Sequence, residues 1–153
     1  MTETRPTRGE GAASSADGRP VTEVAVGVII RPDGSFLLAQ RPAGKPYAGY
    51  WEFPGGKLET GETVAHALAR ELEEELGLDI VASEAWRVLE HDYPHAYVRL
   101  HFCKIHNWRG EPVGREGQAF RWHAPGGAID PAVQPLLPAA LPVIEWLAAE
   151  LPR

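Results

Sequence analysis

Residues 56–78 read GKLETGETVAHALARELEEELGL, and this stretch decides both the architecture and the chemistry. Val64, Leu68, Leu72 and Leu76 recur every four positions, the stripe that an α-helix buries on one face. Thr63 suits the N-cap, where its hydroxyl can accept from a free N–H of the first turn, and Gly77 suits the left-handed position just past the last turn. The spacing therefore predicts a helix over about 64–76. Glu71, Glu74 and Glu75 stand at i, i+3 and i+4 and share a face apart from the leucine stripe. Carboxylates held that close repel one another unless water or a cation screens them, and oxygen donors in this number suit a hard divalent ion. Arg70 is the basic residue of the helix placed to relieve the repulsion, by pairing with Glu74 at i+4.

The charge of the whole chain has the same address. Among 153 residues there are 21 Asp or Glu and 15 Lys or Arg, a net charge of −6. Residues 52–79 hold eight acids against two bases, so this window carries the entire imbalance. The acidic balance argues against binding a nucleic-acid polymer, which needs a basic face. No apolar run approaches the roughly 20 residues of a membrane helix. The single cysteine, Cys103, excludes an internal disulfide framework and fits a cytoplasmic protein. The length suits one domain with a core of its own.

Outward from the helix, residues 1–20 are rich in Gly, Ala, Ser, Thr and Pro without hydrophobic period, and read as a flexible tail before a single domain at 21–153. Val24, Val26, Val28 and Ile30 alternate as in a strand, Arg31–Gly34 signals a turn, and 36–39 reads as the return strand of a hairpin. Residues 41–50 read as a loop. Strands are expected at about 80–91, 97–106 and 119–122, a turn at 107–110, and a final amphipathic helix over 141–151 with Val143, Ile144 and Leu147 inward. Alternating strands and helices point to an α/β domain.

The spacing Gly56-x5-Glu62-x7-Arg70-Glu71-Leu72-x-Glu74-Glu75-x-Gly77-Leu78 resembles the Nudix box at every defined position. Likeness to the MutT-type branch of that family extends over about 22–147. It runs through Gln40-Arg41-Pro42, Trp51 to Lys57, 108–118 and 137–144. The resemblance implies a Nudix fold, a mixed β-sheet sandwiched between helices with an additional antiparallel hairpin. It implies a metal-dependent pyrophosphohydrolase that cleaves nucleoside triphosphates to monophosphate and pyrophosphate, above all oxidised guanine nucleotides such as 8-oxo-dGTP. Mg²⁺ is the implied cofactor, with Mn²⁺ as substitute, and a monomer is expected.

The same resemblance assigns metal ligation to the Gly55 carbonyl, Glu71, Glu74, Glu75 and Glu111, the last from the segment 108–118. It leaves the general base between Glu62 and Glu71, and gives Arg70 the role of orienting the glutamates. Arg41 and Lys57 are expected on phosphate, with Glu52 beside them. Tyr93, Val98, Ala139 and Ala140 are expected at the base. Ala140 stands where the family carries an asparagine that reads guanine, and Ala96 where it carries an arginine; His95 and Arg99 are candidate replacements. The alternatives are a Nudix pyrophosphohydrolase of other or broader nucleotide specificity, and a non-catalytic nucleotide-binding module.

Overall fold

The computed structural model describes residues 18–152. Residues 1–17 of the expected tail lie outside them. The elements are β1 (Val21–Ile29), β2 (Phe36–Gln40), β3 (Trp51–Glu52), β4 (Gly55–Lys57), α1 (Val64–Leu76), β5 (Asp79–Tyr93), β6 (Ala96–Arg109), β7 (Phe120–His123) and α2 (Leu141–Ala149). Single turns of 3₁₀-helix cover Pro131–Val133 and Pro138–Ala140.

Helix α1 forms where its stripe and caps place it. Thr63 Oγ1 accepts from the His66 N–H at 3.1 Å, and Gly77 closes the helix at φ 69°, its N–H donating to the Glu73 carbonyl at 3.0 Å. Leu68, Leu72 and Leu76 are fully buried against Ala25, Ile29, Leu37 and Ile105. Each such leucine contributes about 1.5–3 kcal/mol relative to an exposed one. On the opposite side, Val143 and Ile144 of α2 pack with Val26, Val28, Phe36, Leu38 and Phe102. Helices therefore cover both faces, as expected for the fold.

The strands divide into two sheets. One is mixed, in the order β4-β1-β6-β5, with β1 and β6 parallel; the other is antiparallel, in the order β3-β2-β7. This corrects the expected hairpin of β1 with β2. Only Ile30 and Phe36 bridge across the turn, after which the strands part. The reason is competition for edges: β6 takes one edge of β1 and β4 takes the other. The antiparallel hairpin is instead β5–β6, closed at Pro94-His95.

The expected turn at 107–110 is also corrected. β6 continues through Arg109, with Trp108 opposite Ile80 and Arg109 opposite Asp79, and the chain turns at Gly110. Tertiary contacts extend the strand: Trp108 stacks on Trp122 at 6.0 Å, and Arg109 pairs with Asp79 at 2.8 Å. Arg19, assigned to the tail, pairs with Asp92 and reaches the Tyr93 carbonyl, fastening the start of the domain to the β5–β6 turn.

Candidate active site

A cavity of about 540 Å³ opens between the two sheets beside α1. Its positions follow from the fold. Gly55 and Gly56 lie on β4 against β1, where a side chain at 55 would meet the Ala25 carbonyl oxygen at 2.0 Å. Gly56 in turn leaves room for the Glu71 carboxylate, which a Cβ at 56 would overlap at 2.2–2.6 Å. Glycine is required at both positions by close approach.

The cavity has three chemically distinct parts. One wall carries Glu52, Glu71, Glu75 and Glu116. Another carries the cations Arg41, Lys45 and Lys57. The remainder is largely apolar, with Val24, Val26, Val98, Leu137, Ala139 and Ala140, and with Tyr93 and His95 at one end. Arg41 is anchored by its Nη1, which donates to both Glu52 oxygens at 3.0 and 3.1 Å, and by its Nε, which donates to the Pro46 carbonyl at 2.7 Å. Burial pushes the Glu52 carboxyl up, and Arg41 opposes that shift.

Glu75 is pushed up to about 9 by burial first, then by its hydrogen bond to Glu71 and by the charges of Glu71, Glu116 and Glu52. That is the behaviour of a carboxylate cluster short of positive charge. The donor set, all oxygen and partly desolvated, fits a hard divalent cation. As the side chains stand, no group of three or more His, Cys, Asp or Glu among the described residues is drawn together tightly enough to hold one.

The sequence-predicted residues separate accordingly. Gly55, Glu71, Glu75, Arg41, Glu52, Lys57, Tyr93, Val98, Ala139 and Ala140 all line the cavity. Glu62, Arg70, Glu74 and Glu111 are not among its lining residues. Glu74 shares the helix face but is half exposed and turned to Arg70, 3.4 Å away, so the three glutamates do not converge on one point. Arg70 is chiefly the partner of Glu62, at 2.7 and 2.8 Å, and also reaches Glu71 at 3.0 Å and the Lys57 carbonyl at 3.1 Å. Glu62 additionally accepts from the Glu59 N–H at 2.8 Å. The Arg70 hydrogen bonds, with that N–H, hold the Glu62 carboxyl down at about 2. A carboxylate so occupied is a weak proton acceptor.

The resemblance assigns the loop glutamate to Glu111; Glu111 and Glu116 are both exposed, and of the two Glu116 lines the cavity. The loop docks on the end of α1. The Val113 N–H donates to the Leu76 carbonyl at 2.9 Å, the Arg115 N–H to the Glu75 carbonyl at 3.0 Å, and Gln118 Nε2 to that same carbonyl at 3.1 Å. Carbonyls left free at a helix end thus dock the loop that carries Glu116. Of the two replacements considered for the arginine missing at 96, His95 lines the cavity, whereas Arg99 pairs with Glu23 and Glu90.

Known proteins resemble this chain in sequence and in fold. The NUDIX domain pattern matches residues 21–147. The 8-oxo-dGTP diphosphatase of Haemophilus influenzae is 40% identical over 104 residues, covering 68% of this chain and 76% of that protein. The CTP pyrophosphohydrolase of Escherichia coli is 39% identical over 124 residues, covering 81% and 90%. Among solved structures, a MutT Nudix hydrolase from Burkholderia pseudomallei superposes with a TM-score of 0.73 at 28% identity, over 82% of this chain and 97% of that one. With the family pattern spanning the described domain and the box helix forming one wall of the cavity, the chain belongs to the NUDIX domain family of hydrolases.

Proposed function

We propose that this protein hydrolyses nucleoside triphosphates to monophosphate and pyrophosphate, acts on oxidised guanine nucleotides such as 8-oxo-dGTP, and so prevents mutation. The observation that carries the reading is the cavity itself, whose lining combines carboxylates, cations and apolar residues. A triphosphate needs the first two together, and a nucleobase fits the third. The curated relatives named for 8-oxo-dGTP hydrolysis support the substrate.

The residues divide the work by position. Arg41 and Lys57 hold phosphate oxygens, and the ion pair of Nη1 with Glu52 positions the Arg41 guanidinium. Glu71, Glu75, Glu116 and the Gly55 carbonyl are the donors for Mg²⁺, or Mn²⁺ in its place. When bound, divalent ions there neutralise phosphate charge and acidify an attacking water. Glu71 is the cavity-lining candidate to accept the proton from that water as the phosphoanhydride bond breaks. Glu62 and Arg70 position Glu71 from outside the cavity. We place the protein in the cytoplasm as a monomer, with residues 21–153 as its single domain.

A panel of 8-oxo-dGTP, dGTP, dCTP, CTP and dATP with Mg²⁺ tests this, with products identified as monophosphate and pyrophosphate. The expected result is fastest turnover of 8-oxo-dGTP. A rate for it no higher than for dGTP or dCTP would reject the substrate assignment. A second reading, a pyrophosphohydrolase of broader or pyrimidine preference, is favoured by one observation. Ala140 is buried in the cavity wall and offers a base no side-chain hydrogen bond. The CTP pyrophosphohydrolase relative is in keeping with it.

A further inference from the structure

The base end of the cavity contains one buried polar group whose hydrogen bonding is incomplete. Tyr93 is 5% exposed and lines the cavity beside Val98, Leu137 and Ala139. Its hydroxyl accepts the Ala139 N–H at 3.1 Å. That bond fixes the oxygen as acceptor on the protein side and leaves the hydroxyl proton free. No acceptor for this proton is present among the described residues. Buried hydroxyls are normally satisfied, so a donor left over at a cavity wall marks the place where a ligand supplies the acceptor.

Three further observations give the ligand its chemistry. Tyr93 is held rigidly, by edge contact with Tyr47 at 5.4 Å and stacking with His95 at 5.4 Å, so its hydroxyl direction costs little entropy to present. Burial raises its pKa, so it stays a neutral donor. Its neighbours Val98, Leu137, Ala139 and Ala140 offer no side-chain hydrogen bond of their own.

We propose that the Tyr93 hydroxyl is a specificity-determining donor that hydrogen-bonds a carbonyl oxygen on the base of the bound nucleotide, in a wall where Ala140 cannot. The proposal rests on the pyrophosphohydrolase reading of the site. It assigns discrimination between carbonyl-bearing bases and bases lacking a carbonyl to one side chain.

The test compares wild type and Tyr93→Phe on 8-oxo-dGTP, dGTP, dATP and 2-aminopurine deoxyribonucleoside triphosphate, the last being dGTP without its ring carbonyl. Wild type is expected to prefer dGTP to the 2-aminopurine nucleotide. Tyr93→Phe is expected to lower kcat/KM by about tenfold on 8-oxo-dGTP and dGTP and to leave the other two within about twofold. Loss of the Ala139 hydrogen bond alone would lower all four together, so equal losses overturn the proposal, as does no loss on any. Should the variant fail to fold, the wild-type comparison of dGTP with the 2-aminopurine nucleotide decides, and equal rates overturn it. Wild type that hydrolyses all four alike rejects base reading by Tyr93 and leaves the hydrolase intact. Wild type that hydrolyses none rejects the hydrolase reading and the proposal with it.

Discussion

The Glu71 carboxylate lies directly over the backbone of Gly56: a Cβ built at position 56 would stand 2.2 Å from its Cδ and 2.4 and 2.6 Å from its two oxygens. The pair joins the first residue of the box to its central glutamate, across fifteen positions of sequence. Gly56 is needed for the room it leaves, which sets where the carboxylate points into the cavity.

Gly56→Ala therefore pushes Glu71 out of place. A shift near 1 Å at a reacting group costs about 100-fold, so kcat/KM is expected to fall by about that factor. The helix and its leucine stripe are untouched, and far-ultraviolet circular dichroism should be unchanged. Steady-state kinetics on the best substrate of the nucleotide panel check both parts.

Glu75 gives a pH dependence whose sign is fixed by its raised pKa. In the metal-free fold it keeps its proton to about pH 9, against an ordinary value of 4.5. Between those values the folded chain binds more protons than the unfolded chain, so this group's contribution to stability is full below about pH 4.5 and is lost as pH rises toward 9. A divalent cation displaces the proton, so its own stabilising effect grows over the same range. Thermal melts in chelator and in Mg²⁺ from pH 5 to 9 are expected to diverge with rising pH. Glu75→Gln is expected to flatten the divergence.

The two glutamates of the 110–118 loop make a paired prediction. Glu116 lines the cavity and acts electrostatically on Glu75, whereas Glu111 does not line it. Glu116→Gln is expected to weaken activation by metal, read as a higher Mg²⁺ concentration at half-maximal rate. Glu111→Gln is expected to leave the metal titration unchanged.

Arg70 binds Glu62, Glu71, Glu74 and the Lys57 carbonyl with one planar fork. A lysine supplies the charge without the fork. Arg70→Lys is expected to lower kcat by about 10- to 100-fold, as is usual when a group that orients metal ligands is lost. Because Arg70 does not line the cavity, KM for the nucleotide should change much less. A rise in KM with kcat preserved would instead place Arg70 on the substrate.

The amino-acid sequence makes legible what local period and spacing can carry. It placed α1 with its caps and buried stripe, the longer strands and the final helix, and the glutamates that the box brings to one helix face. These follow from backbone geometry within a few residues of each position. Which of those side chains share the cavity follows from packing between distant segments. Glu74 faces Arg70 because the guanidinium lies there, and Glu62 is withdrawn by the same arginine and by the Glu59 N–H. Glu116, not Glu111, lines the cavity, on a loop docked to carbonyls at the end of α1. β1 and β2 part because β4 and β6 occupy both edges of β1. Each of these outcomes is a contact between segments distant in sequence, chosen by competition for hydrogen bonds and charge that no single stretch of the chain contains.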